Sequence, residues 1–96
     1  MTQPVPPEVL EAFARIPEGA STGFSDGRRY IVAKTSFNGG KSVKLLAEEL
    51  GGTDYISCNL YFLESGARLY PCEMPVEKVI RFVVAFRPAP AQVRSS

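Results

Sequence analysis

Apolar and polar positions divide the chain into two helix-like ends around a strand-rich middle. The first segment opens with Pro4, Pro6 and Pro7, and Val9, Leu10, Phe13, Ala14 and Ile16 follow at rough helical spacing. Pro7 suits the first turn of a helix, Glu8 favours the positive end of its dipole, and Pro17 and Gly19 stop it. This predicts a short helix or docked arm within residues 1–20. From Asp26 onward turn signals recur at near-constant spacing: Asp26-Gly27, Asn38-Gly39-Gly40, Gly51-Gly52 and Ser65-Gly66. With β-branched and aromatic runs between them, they predict an antiparallel meander. Residues 41–50 also carry good helix formers, with Ser42 and Gly51 as caps, so register has to arbitrate.

Strand 55–63 alternates Ile56, Cys58, Leu60 and Phe62 against Tyr55, Ser57, Asn59 and Tyr61. A two-residue Gly51-Gly52 turn sets Val43 opposite Leu60, Leu45 opposite Cys58 and Ala47 opposite Ile56. A three-residue loop at Asn38-Gly39-Gly40 sets Thr35, Ala33 and Ile31 opposite Val43, Leu45 and Ala47. A Ser65-Gly66 turn sets Leu69 opposite Phe62. All three turns give one shared apolar face, which a one-residue slip would destroy, and this favours strands over a helix at 41–50.

Beyond Pro75, Val76, Val79, Ile80, Val83 and Phe86 form one face of a second helix, widened by Phe82 and Val84. Glu77, Lys78 and Arg81 are left for water. So broad an apolar arc predicts burial on more than one side. The expected fold class is α+β: a four-stranded antiparallel β-meander with a short N-terminal helix and an apolar C-terminal helix. A further strand near Thr22–Ser25 is open. The main domain spans 21–87, with a flexible tail over 88–96.

The opposite face of this sheet carries Arg28, Tyr30, Val32, Lys34, Ser42, Lys44, Leu46, Glu48, Tyr55, Ser57, Asn59, Tyr61, Arg68 and Tyr70. All four tyrosines fall there, and its cations Arg28, Lys34, Lys44 and Arg68 outnumber Glu48, whereas the whole chain has a formal charge of only +1. Stacking rings beside Lys and Arg are what single-stranded nucleic acid requires. Tyrosine is also a good strand former on a half-exposed sheet. The same face can equally be covered by the N-terminal helix or by a protein partner.

Gly27-Arg28-Arg29-Tyr30-Ile31-Val32, opening the first strand, and Leu69-Tyr70-Pro71 followed by Glu73 and the Pro75 helix give a layout over 27–86. That layout resembles the positive-cofactor-four family of single-stranded DNA-binding transcriptional coactivators. The resemblance implies a sheet that grips the strand through Arg28, Tyr30, Lys34 and Lys44, and helices that mediate dimerisation. This chain departs from the family in having fewer basic residues and a longer, tyrosine-bearing third strand.

Composition narrows the chemistry. With 96 residues, 45% apolar and 22% charged, the chain suits one globular domain. It contains no histidine, which removes His-based triads, proton transfer near neutrality and the usual zinc or iron ligand sets. No enzyme activity, metal or cofactor is expected. Gly39-Gly40-Lys41-Ser42 resembles the end of a phosphate-binding loop, but Thr35 stands where that pattern needs glycine. Glu48 and Glu49 project to opposite faces of a strand and cannot pair as acid and base. Cys58 belongs to the apolar face. Cys72 precedes the second helix, where a thiolate would be stabilised, although Glu73 works against it. No stretch reads as a signal peptide or membrane span, so a cytoplasmic location is expected.

The leading expectation is a homodimeric module that binds single-stranded nucleic acid through Arg28, Tyr30, Lys34, Lys44, Tyr55, Asn59, Tyr61, Arg68 and Tyr70. It would pair subunits through Val79, Phe82, Val83 and Phe86. The alternative is a protein-interaction or regulatory subunit using the same face, and the most distant is a thiol-based redox protein acting through Cys72.

Overall fold

The computed structural model describes residues 5–89. It contains helix α1 (Pro7–Arg15), strands β1 (Gly19–Ser25), β2 (Arg28–Phe37), β3 (Ser42–Glu49), β4 (Tyr55–Leu63) and β5 (Gly66–Pro71), helix α2 (Val76–Ala85) and the two-residue strand β6 (Arg87–Pro88). The class is α+β, but the sheet has six strands rather than four, in the order β5-β4-β3-β2-β1-β6. Residues 41–50 enter the sheet as β3, as register predicts. Residues 1–4 and 90–96 lie outside the described residues, and with them most of the expected tail.

The β1–β2 hairpin follows its turn chemistry. Asp26 and Gly27 both take positive φ, 55° and 79°, which two-residue hairpins require to match strand twist. Ser25 and Arg28 therefore face one another, and the strand suspected near Thr22–Ser25 extends back to Gly19. The β3–β4 register is as expected, with Val43 opposite Leu60 and Leu45 opposite Cys58. At β4–β5 the turn is Glu64-Ser65, so Leu69 pairs with Leu60 instead of Phe62. A slip of two residues keeps every side chain on its expected face.

The β2–β3 loop corrects the sequence reading. It runs through four residues, Asn38 to Lys41, with Asn38, Gly39 and Gly40 all at positive φ and a 3-10 turn over Asn38–Gly40. Val43 consequently faces Ser36, Leu45 faces Lys34 and Ala47 faces Val32. One extra loop residue reverses both faces of β2. Tyr30 and Val32 become core, while Ile31, Ala33, Thr35 and Phe37 turn outward.

Both helices lie on the same side of the sheet. Val9, Ala12, Phe13 and Ile16 of the N-terminal segment join Val79, Phe82, Val83 and Phe86 over Val32, Leu45, Ile56, Leu60 and Leu69 in one core. Each large aliphatic buried there contributes about 1.5–3 kcal/mol relative to exposure. Gly23 marks the closest approach, since a side chain there would overlap the Phe86 ring and the Arg87 carbonyl oxygen. Only glycine lets the end of α2 pass so near β1.

Candidate functional site

Helices cover one face of the sheet and, among the described residues, nothing covers the other. Strand alternation places four rows of side chains there. Ala20, Ala33, Leu46 and Ser57 form the central row. On one side stand Thr22, Ile31, Glu48 and Tyr55. On the other stand Thr35, Lys44, Asn59 and Tyr70. Phe37, Ser42, Tyr61 and Arg68 lie beyond these, and Phe24 and Arg29 flank the opposite end. Ile31 and Leu46 are each 42% exposed and Phe37 48%, large apolar side chains in adjoining strands without cover.

Of the nine residues expected to contact nucleic acid, six occupy this face: Lys44, Tyr55, Asn59, Tyr61, Arg68 and Tyr70. Tyr61 and Tyr70 meet edge to face, with centroids 5.5 Å apart, a favoured aromatic arrangement. Lys78 of α2 lies 5.6 Å from the Tyr55 ring centroid. Arg68 folds its guanidinium onto the Ser65 and Ala67 carbonyl oxygens. At the β6 edge, Arg87 likewise donates to the Val84 and Phe86 carbonyl oxygens. Lys44 and Arg29 make no side-chain hydrogen bond or ion pair among the described residues.

The other three lie behind the sheet, for the register reason given above. Tyr30 is 3% exposed, packs edge to face on Phe82 at 4.8 Å and donates to Asp54 Oδ2 at 2.8 Å. Lys34 reaches the C-terminal end of α1, donating from Nζ to the Phe13 and Ile16 carbonyl oxygens at 2.8 and 3.0 Å. Arg28 stands 4.0 Å from Glu49. Three tyrosines, not four, face solvent on the open side. Val79, Phe82, Val83 and Phe86, expected at a subunit interface, are buried beneath the protein's own sheet and α1, which accounts for the width of the apolar arc.

Sequence reasoning missed Ile31, Phe37, Arg29 and Phe24 as face residues. The available signal was Asn38 itself: asparagine tolerates the left-handed region, so three residues able to take positive φ permit a longer loop than one glycine requires.

A cleft of about 440 Å³ opens beside α2, lined by Asp26, Arg28, Tyr30, Asp54, Lys78 and Arg81 among others. Two ion pairs cross it, Lys78 with Asp54 at 2.7 Å and Arg81 with Asp26 at 3.1 Å. The Lys78 hydrogen bond outweighs burial and, with the Tyr30 hydroxyl, holds the Asp54 carboxyl below its usual range. Burial first, then Asp54, pushes the Tyr30 phenol up to about 12. Burial lowers Lys34 against the opposing charge of Glu18. These partnered groups join elements together.

Burial pushes Cys58 up to about 12. Cys72 prolongs β5, with its N–H bonded to the Ser57 carbonyl oxygen and its sulfur beside Asn59 Nδ2 at 3.9 Å. It lies just past the end of β5 and does not cap α2, whose N-cap is Pro75. Among the described residues, no group of His, Cys, Asp or Glu could hold a metal ion, and no helix is long and apolar enough to cross a membrane.

No family model, curated protein or solved structure matches this chain. The resemblance to the coactivator family therefore rests on the layout of residues 27–86 alone. Function has to be read from the open face.

Proposed function

We propose that this protein is a binding module whose open sheet face docks against a protein surface. The observation that carries this reading is the aliphatic centre of the face, where Ile31, Ala33 and Leu46 adjoin across β2 and β3. Covering each half-exposed large side chain contributes on the order of 1 kcal/mol. Summed over a face that also holds Phe24, Phe37, Tyr55 and Tyr70, the gain reaches the range that association must overcome. Aliphatic side chains neither stack on bases nor neutralise phosphates, so the centre suits protein better than nucleic acid. Lys44 and Glu48 border the apolar centre directly, and aromatic residues with Arg29 and Arg68 surround it, a mixture found at protein interfaces.

A photocrosslinking residue placed at 31 or 46 in the full chain, expressed in cells, tests this. A discrete protein adduct from both positions, and none from position 81 on α2, is expected. No adduct from either face position would overturn the reading.

A second reading keeps single-stranded nucleic acid as the ligand, and the Tyr61–Tyr70 pair with Lys44, Asn59 and Arg68 nearby favours it. It predicts nuclease-sensitive adducts. It also predicts oligonucleotide binding that weakens with salt and on Tyr61→Ala; absence of binding at low salt would remove it.

A further inference from the structure

We infer that the occupant of the open face is a second copy of this chain, packed sheet on sheet about a two-fold axis running along the Ala20–Ala33–Leu46–Ser57 row. This rests on the protein-docking reading above and goes beyond it by naming the partner. Lys44 and Glu48 stand on β3 on either side of Leu46, two residues away in each direction. A two-fold axis through Leu46, lying between the sheets and perpendicular to the strands, carries each half of β3 onto the other half in the second copy. Leu46 then meets Leu46, and Lys44 of one copy meets Glu48 of the other, twice. The same operation sets Ile31 against Thr35, Tyr55 against Asn59 and Arg29 against Phe37, all open-face residues at matching levels of the sheet. Every close encounter is apolar, hydrogen-bonding, cation on ring or opposite in charge, and no two like charges oppose one another near the axis.

The dimensions agree. Packed sheets cross at about 30°, and a residue about 7 Å along a strand from the axis is then displaced by only ~3 Å, within reach of a lysine or glutamate. Five strands about 4.8 Å apart and some 20 Å long give a flat footprint of roughly 500 Å², which side-chain relief raises toward the ~800 Å² per partner of a stable complex. Two such faces together bury the side of each sheet that α1 and α2 leave uncovered. A different protein partner, or nucleic acid, has no reason to require the mirrored spacing of Lys44 and Glu48 about Leu46.

Sedimentation equilibrium of the purified full chain, with charge-swapped variants, tests the inference. Wild type is expected as a dimer at tens of micromolar. Lys44→Glu and Glu48→Lys each place like charges together twice and are expected to weaken the dimer about tenfold or more, while the double swap restores wild-type association to within about threefold. All three variants alter exposed positions, so retained circular dichroism and melting temperature confirm that folding is not at issue. A monomer at 100 μM, or a double swap no stronger than the singles, overturns the second-copy assignment. Docking to another protein would then survive if adducts from positions 31 and 46 have a mass other than twice the chain's. No adduct at all would end both readings.

Discussion

The Tyr30 hydroxyl donates to Asp54 at 2.8 Å, tying the start of β2 to the loop that precedes β4, while Lys78 of α2 holds the other carboxylate oxygen at 2.7 Å. Three elements distant in sequence thus converge on one acid at the rim of the core. The same bond fixes Tyr30 under the helices and sends Ile31 to the open side, so it takes part in deciding which face is available.

Tyr30→Phe is expected to lower stability by about 1–2 kcal/mol, the loss of one hydrogen bond to a charged acceptor whose other partners remain. Its pH dependence is the sharper check. The folded phenol titrates near 12, above its ordinary value of 10.0, so its contribution is complete below pH 10 and declines as pH rises toward 12. Urea melts across that range should show this loss in wild type and not in Tyr30→Phe. In acid the sign reverses. Asp54 is held below its ordinary 3.8, so its contribution is present above that value and is lost as pH falls through the lowered one. Asp54→Asn should flatten this acid limb.

Lys34→Met keeps the aliphatic stem and removes both bonds to the α1 carbonyl oxygens. A cation at a helix C-terminus favours the helix. The expected cost is about 1 kcal/mol, with faster amide hydrogen exchange concentrated in α1 and little change in β3–β5.

Much of this architecture was legible in the chain. Strand β4 alternates Ile56, Cys58 and Leu60 with Ser57 and Asn59, so its pairing with β3 had one sensible solution, which the structure adopts. The β2 segment Tyr30-Ile31-Val32-Ala33 is apolar at every position. Either parity buries hydrophobic surface, and alternation could not choose between them. The choice fell to the Asn38–Lys41 loop and to the bonds that let Tyr30 and Lys34 enter a covered face. β6 was illegible for a different reason: two residues carry no periodicity, and their pairing with β1 depends on where α2 ends. Lys44, Tyr55, Asn59, Tyr61, Arg68 and Tyr70 fall on the face that alternation assigns them, because they sit on strands whose parity was determined.

Gly23→Ala is expected to destabilise by about 1–3 kcal/mol, because its methyl group would overlap the Phe86 ring and the Arg87 carbonyl oxygen. Chemical denaturation should show a lower midpoint at unchanged slope.

Leu45 and Leu46 offer an internal contrast. Leu45 is 0% exposed, and Leu45→Ala should cost about 2–5 kcal/mol through the cavity it leaves. Leu46→Asp, on the open face, should change the stability of the single chain by no more than about 0.5 kcal/mol while abolishing the association measured by sedimentation.

The orientation of β2 decides whether the open face exists in the form described, and thiol labelling reads it directly. Ile31→Cys and Val32→Cys differ by one position on one strand and should differ by a full reversal of environment. At submicromolar concentration under native conditions, residue 31 should label within minutes and residue 32 only on unfolding, as followed by mass spectrometry of the modified peptides. Rapid labelling at 32 with protection at 31 would contradict the account, since Tyr30 and Lys34 would then face outward and Ile31 and Ala33 would be core.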